Sequence, residues 1–211
     1  MKTEELIRVL AADGSRPVAP IAHALLRALG LGIVASVALF LLLLRPRPDI
    51  GQAFYTVPFA FKLVFALGVV ASAGMFLTEA ARPVSVFRWR WPLILAPLLL
   101  LCGVLVELAI MPAQTWPARL IGHNARHCVS LIPLLSLPPA AFLLAALRRG
   151  APLNPRLAGA IAGLVSGGVG ALLYALTCPD DSPLFVGTWY SIAITVVTGV
   201  SAYVGARLLR W

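Results

Sequence analysis

The sequence is poor in charged residues and has little with which to build a water-soluble surface. Only 12% of its 211 residues are charged and 60% are hydrophobic, whereas soluble domains average about 25% charged residues. The low charge and high hydrophobic share exclude a disordered chain, which requires low hydrophobicity. They also argue against the nucleic-acid-binding protein that the net charge of +9 alone would suggest. The composition therefore predicts a membrane protein.

Catalytic motifs are also missing from the sequence. It has no Gly-x-Ser-x-Gly motif, no phosphate-binding loop and no carboxylate pair set in a soluble cleft. We therefore predict that the protein is not an enzyme. A cleaved signal peptide is not expected either, because residues 1–20 are too polar and the first apolar run lacks a small-residue cleavage site.

Six apolar runs are long enough to cross a bilayer, which takes roughly 20 residues per helix. They cover residues 24–44, 58–80, 92–111, 128–147, 157–176 and 184–206. The predicted fold class is therefore all-α, a polytopic protein with six transmembrane helices. Residues 1–23 and 207–211 remain as an N-terminal segment and a C-terminal tail. The fourth run is the least regular, because Pro133, Pro138 and Pro139 interrupt it.

The distribution of basic residues predicts the orientation of the protein. Cytoplasmic loops of membrane proteins carry an excess of lysine and arginine. With the N-terminus in the cytoplasm, the cytoplasmic side holds Lys2, Arg8, Arg16, Arg27, Arg82, Arg88, Arg90, Arg148, Arg149, Arg156, Arg207 and Arg210. The outer loops hold only Arg45, Arg47, Arg119 and Arg126. Both termini are therefore expected in the cytoplasm.

Two of the three cysteines are candidate functional residues. Cys128 opens the fourth run and Cys178 follows the fifth, so both are expected at the outer membrane surface. Two thiols at one level can form a disulfide, either structural or redox-active, or they can be unrelated. A soft-metal site is an alternative, with His123, His127 and Asp180 as further ligands, although the spacing matches no strong zinc signature. No other cofactor is expected.

Charged residues inside the apolar runs are costly in lipid and usually face the protein interior. Lys62 and Glu107 each lie about one turn from the outer end of their run. We predict an ion pair between them, since neighbouring antiparallel helices would bring them to similar depth. The alternative is a proton or ion path.

The fifth run contains Gly159-x-x-x-Gly163-x-x-x-Gly167. Small residues at every fourth position let helix backbones approach closely. The motif predicts a packing face, used either within the chain or in a homodimer.

The N-terminal segment has the pattern of a short amphipathic helix. Thr3 can cap it, and Leu6, Ile7 and Leu10 then share one face. Such a helix can lead into the first span, lie on the membrane, or dock in a groove of a partner.

Several segments occur in a fixed order from the first residue to the last. They are Met1-Lys2-Thr3-Glu4-Glu5-Leu6-Ile7, Leu10-Ala11-Ala12-Asp13, Arg47-Pro48-Asp49-Ile50, Lys62, Cys128, Arg148-Arg149-Gly150-Ala151-Pro152, Tyr174-Ala175-Leu176-Thr177-Cys178, Trp189-Tyr190 and Arg210-Trp211. Together these segments resemble the NrsF-like family of six-span bacterial inner-membrane anti-sigma factors. The resemblance implies a regulator that holds an extracytoplasmic-function (ECF) sigma factor inactive at the membrane and releases it under stress.

The resemblance also implies partners and sites. The partners would be the sigma factor and the lipid bilayer, with no direct contact to nucleic acid. Cys128 and Cys178 match the paired cysteines of the family, in which a histidine often precedes the second cysteine. Thr177 stands there in this chain, which favours thiol redox chemistry over metal ligation.

We expect Thr3 and the apolar face of the N-terminal helix to bind the sigma factor. A small transporter or channel, and a membrane thiol-redox protein, are the alternative functions.

Overall fold

The structure is a computed structural model that describes residues 3–5, 21–82 and 91–210. Each of its six long helices is long and apolar enough to cross a membrane, and no strand occurs in the described ranges. We number the helices α1 (Ile21–Leu43), α2 (Val57–Ala80), α3 (Pro92–Ile110), α4 (Ala125–Leu147), α5 (Pro155–Ala175) and α6 (Pro183–Leu208). The prediction of an all-α protein with six membrane-spanning helices is confirmed.

Helix α5 lies at the centre of the bundle and α3 at its edge. In the most apolar window of α5, 72% of the residues are buried, against 11% for α3. Helices α2, α4 and α6 pack on α5, while α1 packs mainly on α4 and α3 mainly on α2. The small side chains of α5 explain its position, because they let three neighbours approach at once.

The glycines predicted as a packing face lie against α6 of the same chain. A Cβ atom added at Gly159 would lie only 3.0 Å from the Cα of Gly205, and one at Gly163 only 2.9 Å from the Cα of Thr198. Gly167 faces Ile194. Backbone atoms cannot move aside as a flexible side chain can, so the close approach of α5 and α6 depends on these glycines.

The prolines do not interrupt α4, which is continuous from Ala125 to Leu147. Pro139 has no N–H group, so the carbonyl of Leu135 loses its helical partner. The hydroxyl of Ser36 in α1 donates to that carbonyl at 2.7 Å. Gly32, one turn away in α1, lets the helix approach Pro139 closely. A neighbouring helix therefore supplies the hydrogen bond that the proline removes.

Successive helices of the bundle run antiparallel, so the loops between them lie at two opposite ends. We call one the cysteine end; it consists of residues 44–56, 111–124 and 176–182, with the adjoining helix turns. These loops contain the short helices Ile50–Ala53 and Trp116–Ile121. The opposite end, where α1 begins and α6 ends, is called the terminus end. The loops at the cysteine end are ordered by contacts with one another, which define the candidate site.

Candidate functional site at the cysteine end

The α5–α6 loop, residues 176–182, connects four helices at the cysteine end. Its first residues are joined to the chain that follows α1. The backbone N–H of Arg47 donates to the carbonyl of Leu176 at 3.0 Å. The hydroxyl of Thr177 donates to the carbonyl of Arg45 at 2.7 Å. The rest of the loop provides acceptors for α2 and for the N-terminus of α4, and it provides a hydroxyl donor, Ser182, for α3.

Lys62 of α2 is fully buried beneath this loop. Its Nζ atom donates to the carbonyls of Cys178 at 2.9 Å and Asp180 at 3.2 Å. The same atom lies 2.5 Å from Oδ1 of Asp181, an ion pair without the geometry of a directed hydrogen bond. The rings of Phe59 and Tyr190 lie 5.7 and 5.9 Å from the ammonium. Together these groups replace the hydration that a buried ammonium loses.

The predicted ion pair between Lys62 and Glu107 is wrong. Glu107 instead accepts from the guanidinium of Arg119 at 2.7 Å. Oε1 of Glu107 also accepts from the hydroxyl of Ser182 at 2.7 Å, and Oε2 from the backbone N–H of Leu184 at 2.8 Å. The α5–α6 loop supplies a separate partner to each residue, so neither needs the other. Glu107 thereby closes the N-terminus of α6, where the helix dipole favours an anion.

Asp180 binds the N-terminus of α4. Its Oδ2 atom accepts from the backbone N–H groups of His123 at 3.0 Å and Asn124 at 2.9 Å, and from the side-chain amide of Asn124 at 3.1 Å. Partial burial alone would raise the pKa of Asp180, but these hydrogen bonds to the carboxylate outweigh it and lower the pKa. Gly122, at φ 57°, makes the turn that precedes α4.

Arg47 joins the loop to the short helix that follows α1. Its guanidinium donates to Asp49 at 2.6 and 2.7 Å and to Asp181 at 2.8 Å. The hydrogen bond from Arg47 lowers the pKa of Asp49. Asp181 therefore lies between two cations, Arg47 and Lys62.

The two candidate cysteines are buried in one apolar cluster beneath the loop. Cys128, in the first turn of α4, is 0% exposed and Cys178 is 1% exposed; both thiols are free. Tyr174, Phe185 and Tyr190 belong to the same cluster. Burial raises the pKa of Cys178, so the thiol is protonated at neutral pH and is a weak nucleophile. Cys102, by contrast, lies exposed on α3.

A wide π-helical turn, Val186–Tyr190, forms part of the N-terminal region of α6 beside this cluster. Such turns interrupt the regular ladder and often occur at functional sites. The turn places Tyr190 inside the bundle, fully buried, and its hydroxyl has no hydrogen-bond partner among the described residues. The cluster therefore contains a polar group in addition to its two thiols.

The five residues predicted as metal ligands are not brought together. The side chain of His123 is 94% exposed, its Nδ1 atom lies 3.6 Å from Oδ1 of Asp180, and His127 is exposed on α4. The thiols of Cys128 and Cys178 are buried below them, and Asp180 is occupied by the α4 N-terminus. Across residues 3–5, 21–82 and 91–210, no three His, Cys, Asp or Glu side chains form a metal-binding group.

The predicted sigma-binding residues fall mostly outside the described ranges. Thr3 is helical and exposed, whereas Leu6, Ile7 and Leu10 lie outside the described residues.

Sequence reasoning missed the site residues that act through the loop, namely Arg47, Asn124, Asp181, Ser182 and Tyr190. A signal for Asp181 existed, because two adjacent acids in a loop without a basic residue are natural partners for a lysine inside a span.

Comparison with known proteins covers the whole chain. Residues 10–211 match the sequence model of a family described as "NrsF: Negative regulator of sigma F". The chain is 36% identical over 217 residues to the "Anti-sigma-F factor NrsF" of Caulobacter vibrioides. It is 33% identical over 215 residues to the "Probable anti-sigma-F factor NrsF" of Azospira oryzae. Each alignment covers 100% of both chains. No solved structure matches.

Proposed function

The chain belongs to the NrsF family, whose members are negative regulators of a sigma factor, and on that premise we propose a membrane-bound, stress-responsive anti-sigma factor. In this proposal the protein holds an ECF sigma factor at the bacterial inner membrane. It releases the sigma factor when Cys128 and Cys178 react at the outer surface. Whole-chain similarity to two named anti-sigma factors supports the regulatory role. The buried cysteine pair supports the sensing role.

The orientation follows from the positive-inside rule. The terminus end carries Arg27, Arg148, Arg149 and Arg207, and it therefore faces the cytoplasm in this proposal. The cysteine end then faces the oxidising side of the inner membrane, where thiols can form disulfides. Stimulus and sigma factor act on opposite ends of the bundle, so the signal has to travel along the helices.

One observation carries the sensing proposal: the carbonyl of Cys178 is an acceptor for the buried Lys62. Any covalent change at Cys178 that moves its backbone also disturbs the contacts of Lys62 and, through the α5–α6 loop, those of α3 and α4. A local reaction can therefore alter the packing of several helices.

The chemistry proposed is formation of a disulfide between Cys128 and Cys178. The two thiols lose two protons and two electrons to a two-electron oxidant such as a peroxide, which is reduced to water. A soft metal cation would act on the same atoms by displacing the thiol protons. Because both thiols are buried, either reagent reaches them only after the α5–α6 loop has moved. The resting protein is therefore expected to react slowly.

The regulatory role is tested by co-expression. The full chain carrying an affinity tag is produced with an ECF sigma factor from the same genome, and captured from membranes in mild detergent. We expect the sigma factor to be captured and transcription of a sigma-dependent reporter to fall. Capture of no sigma factor, with the reporter unaffected, would refute the proposal. Deleting residues 1–20 tests the N-terminal segment separately, because retained repression would show that this segment is not needed.

The sensing role is tested with paired cysteine variants. Cys128→Ser with Cys178→Ser should leave repression intact and abolish the response to peroxide or cadmium. Cys102→Ser is the matched control, since it removes an exposed thiol and should respond as the unmodified protein does. An undiminished response in the double variant would refute the sensing role while leaving the anti-sigma role standing.

No contact between described residues favours the transporter or the thiol-redox protein as a second function. Lys62 and Glu107 are each bound to separate partners, rather than placed along a common polar path. The regulatory relatives point the same way.

A further inference from the structure

A groove lies between α1 and α4 at the terminus end. Its volume is about 660 Å³, and its floor consists largely of the alanines of the two helices. Leu31 and Phe142 line its apolar part, while His23, Arg27 and Arg149 line its polar part. The small alanine side chains leave the space open.

The basic residues of this groove have no acidic partner in the part of the chain that the structure describes. Neither Arg27 nor Arg149 forms an ion pair with a described carboxylate, and no acidic residue lines the groove. At the cysteine end, in contrast, Arg47 and Lys62 are both paired. An uncompensated pair of guanidinium groups beside an apolar floor fits a ligand that is both acidic and apolar.

The length of the groove matches about two turns of a helix. It follows α1 from His23 to Leu31, which is roughly 12 Å at the helical rise and therefore about two turns. Grooves between two helices commonly receive the apolar face of an amphipathic helix. Acidic residues on the flank of such a helix would meet Arg27 and Arg149.

We propose that this groove is the docking surface for the sigma factor, which inserts the apolar face of an acidic amphipathic helix between α1 and α4. The proposal rests on the anti-sigma function proposed above and on the terminus end facing the cytoplasm. It gives the sigma factor a binding surface on the helical bundle itself, in addition to any contact made by the N-terminal segment. Since α4 also carries Cys128 in its first turn, the same helix joins the docking surface to the cysteine end.

The test measures binding of the sigma factor captured by co-expression to the full chain in nanodiscs of phosphatidylcholine. Arg27→Glu with Arg149→Glu reverses the charge of the groove. Arg156→Glu with Arg207→Glu is its matched control, because it changes the net charge equally at the same end but outside the groove. Ala145→Trp fills the groove from an exposed position, and Ala38→Trp places the same side chain on an exposed position of α1 outside it.

We expect each groove variant to weaken the Kd by about tenfold or more, since both charge and shape at the docking surface are lost. Both controls should stay within about threefold. Equal weakening by the two charge variants would overturn the proposal in favour of general electrostatic attraction. Unchanged binding by Ala145→Trp would overturn the groove while leaving the anti-sigma function intact. Absence of binding by the unmodified chain would instead refute the function, and the groove proposal with it.

A lipid phosphate is the other acidic group available to Arg27 and Arg149. Repeating the measurement in nanodiscs that contain phosphatidylglycerol separates the two sources. If the charge-reversed variant binds the sigma factor normally in both discs and loses thermal stability only with phosphatidylglycerol, the arginines serve the lipid and the docking proposal fails. Circular dichroism of each variant before the binding measurement confirms that the helices are intact.

Discussion

The two ends of the helix bundle differ in how many of their basic side chains form ion pairs within the chain. At the cysteine end, Arg47, Lys62 and Arg119 each form an ion pair with a carboxylate of the chain. At the terminus end, no described carboxylate forms an ion pair with Arg27, Arg82, Arg148, Arg149, Arg156, Arg207 or Arg210. Even Glu79, at the end of α2, has a buried carboxylate oxygen that finds no hydrogen-bond partner among the described residues.

This difference shows that the two ends are held together by different forces. The cysteine end is closed by hydrogen bonds and ion pairs that converge on the α5–α6 loop. The terminus end is closed by direct helix packing, as at Gly159 and Gly205. The cysteine end pairs Arg47, Lys62 and Arg119 within the chain, whereas the arginines of the terminus end have no ion pair among the described residues and can meet lipid or a protein partner.

The largest effect is expected from Lys62→Met. The substitution leaves the carbonyls of Cys178 and Asp180 without their donor and leaves Asp181 with Arg47 as its remaining cation. Breaking a buried pair in this way costs about 3–5 kcal/mol. Thermal unfolding in detergent measures the loss. Arg126→Met, an exposed cation at the same end, is the control and should cost little. If both variants unfold alike, Lys62 does not hold the cysteine end together.

Asp181→Asn keeps the two carbonyl acceptors of Lys62 and should cost less than Lys62→Met.

Gly159→Ala tests the packing of the terminus end. The added methyl group would contact the backbone of α6, and overpacking of this kind costs about 1–3 kcal/mol. Gly199→Ala in α6 is the control, because a Cβ atom there meets nothing within 4 Å. The comparison is made by thermal unfolding of both variants. Equal stability of the two variants would show that α5 and α6 can move apart far enough to accommodate the added methyl group.

Glu107→Gln is expected to cost about 1 kcal/mol, the difference between a hydrogen bond to a charged acceptor and one to a neutral acceptor. The amide oxygen can still accept from Ser182 or Leu184, but the ion pair with Arg119 is lost. Glu79→Gln at the terminus end should not destabilise the protein, because one oxygen of that carboxylate has no hydrogen-bond partner within residues 3–5, 21–82 and 91–210. Urea unfolding measures the loss of free energy of unfolding in each variant. A larger loss for Glu79→Gln than for Glu107→Gln would contradict the prediction.

Asp180 should make the stability of the cysteine end depend on pH. Its pKa is lowered in the folded protein from the ordinary value of 3.8. Its contribution is therefore complete above that value and is lost as the pH falls through the lower folded pKa. Asp180→Asn should reduce the difference in melting temperature between pH 6 and pH 3. Asp49→Asn, at an exposed carboxylate, should reduce this difference in melting temperature less than Asp180→Asn does. The opposite order would show that Asp180 is not the main source of the pH dependence.

The smallest effect is expected at a single arginine of the terminus end. Arg156→Gln removes an exposed cation that has no ion-pair partner in the described part of the chain, so the free energy of unfolding should change by less than about 0.5 kcal/mol. Differential scanning fluorimetry in detergent is sufficient to detect a larger change. A loss comparable with that of Lys62→Met would show that the terminus end also depends on its charges.

The sequence alone determined the architecture of this protein. Six long apolar runs require six helices, because a helix satisfies its own backbone hydrogen bonds in lipid. The glycine spacing of α5 predicted a packing face, and the order of short motifs predicted the family. These features are local or periodic, so a single sequence displays them.

The tertiary structure decided which groups meet. Lys62 lies 119 residues from Asp181, and no local pattern reveals that the α5–α6 loop, rather than Glu107, supplies its partner. Pro139 looked disruptive in the sequence, yet Ser36 of another helix replaces the hydrogen bond that it removes. Partner choice depends on the depth and rotation of each helix, which packing fixes. The sequence therefore determined which residues are costly to bury, and only the packed bundle decided how each of them is compensated.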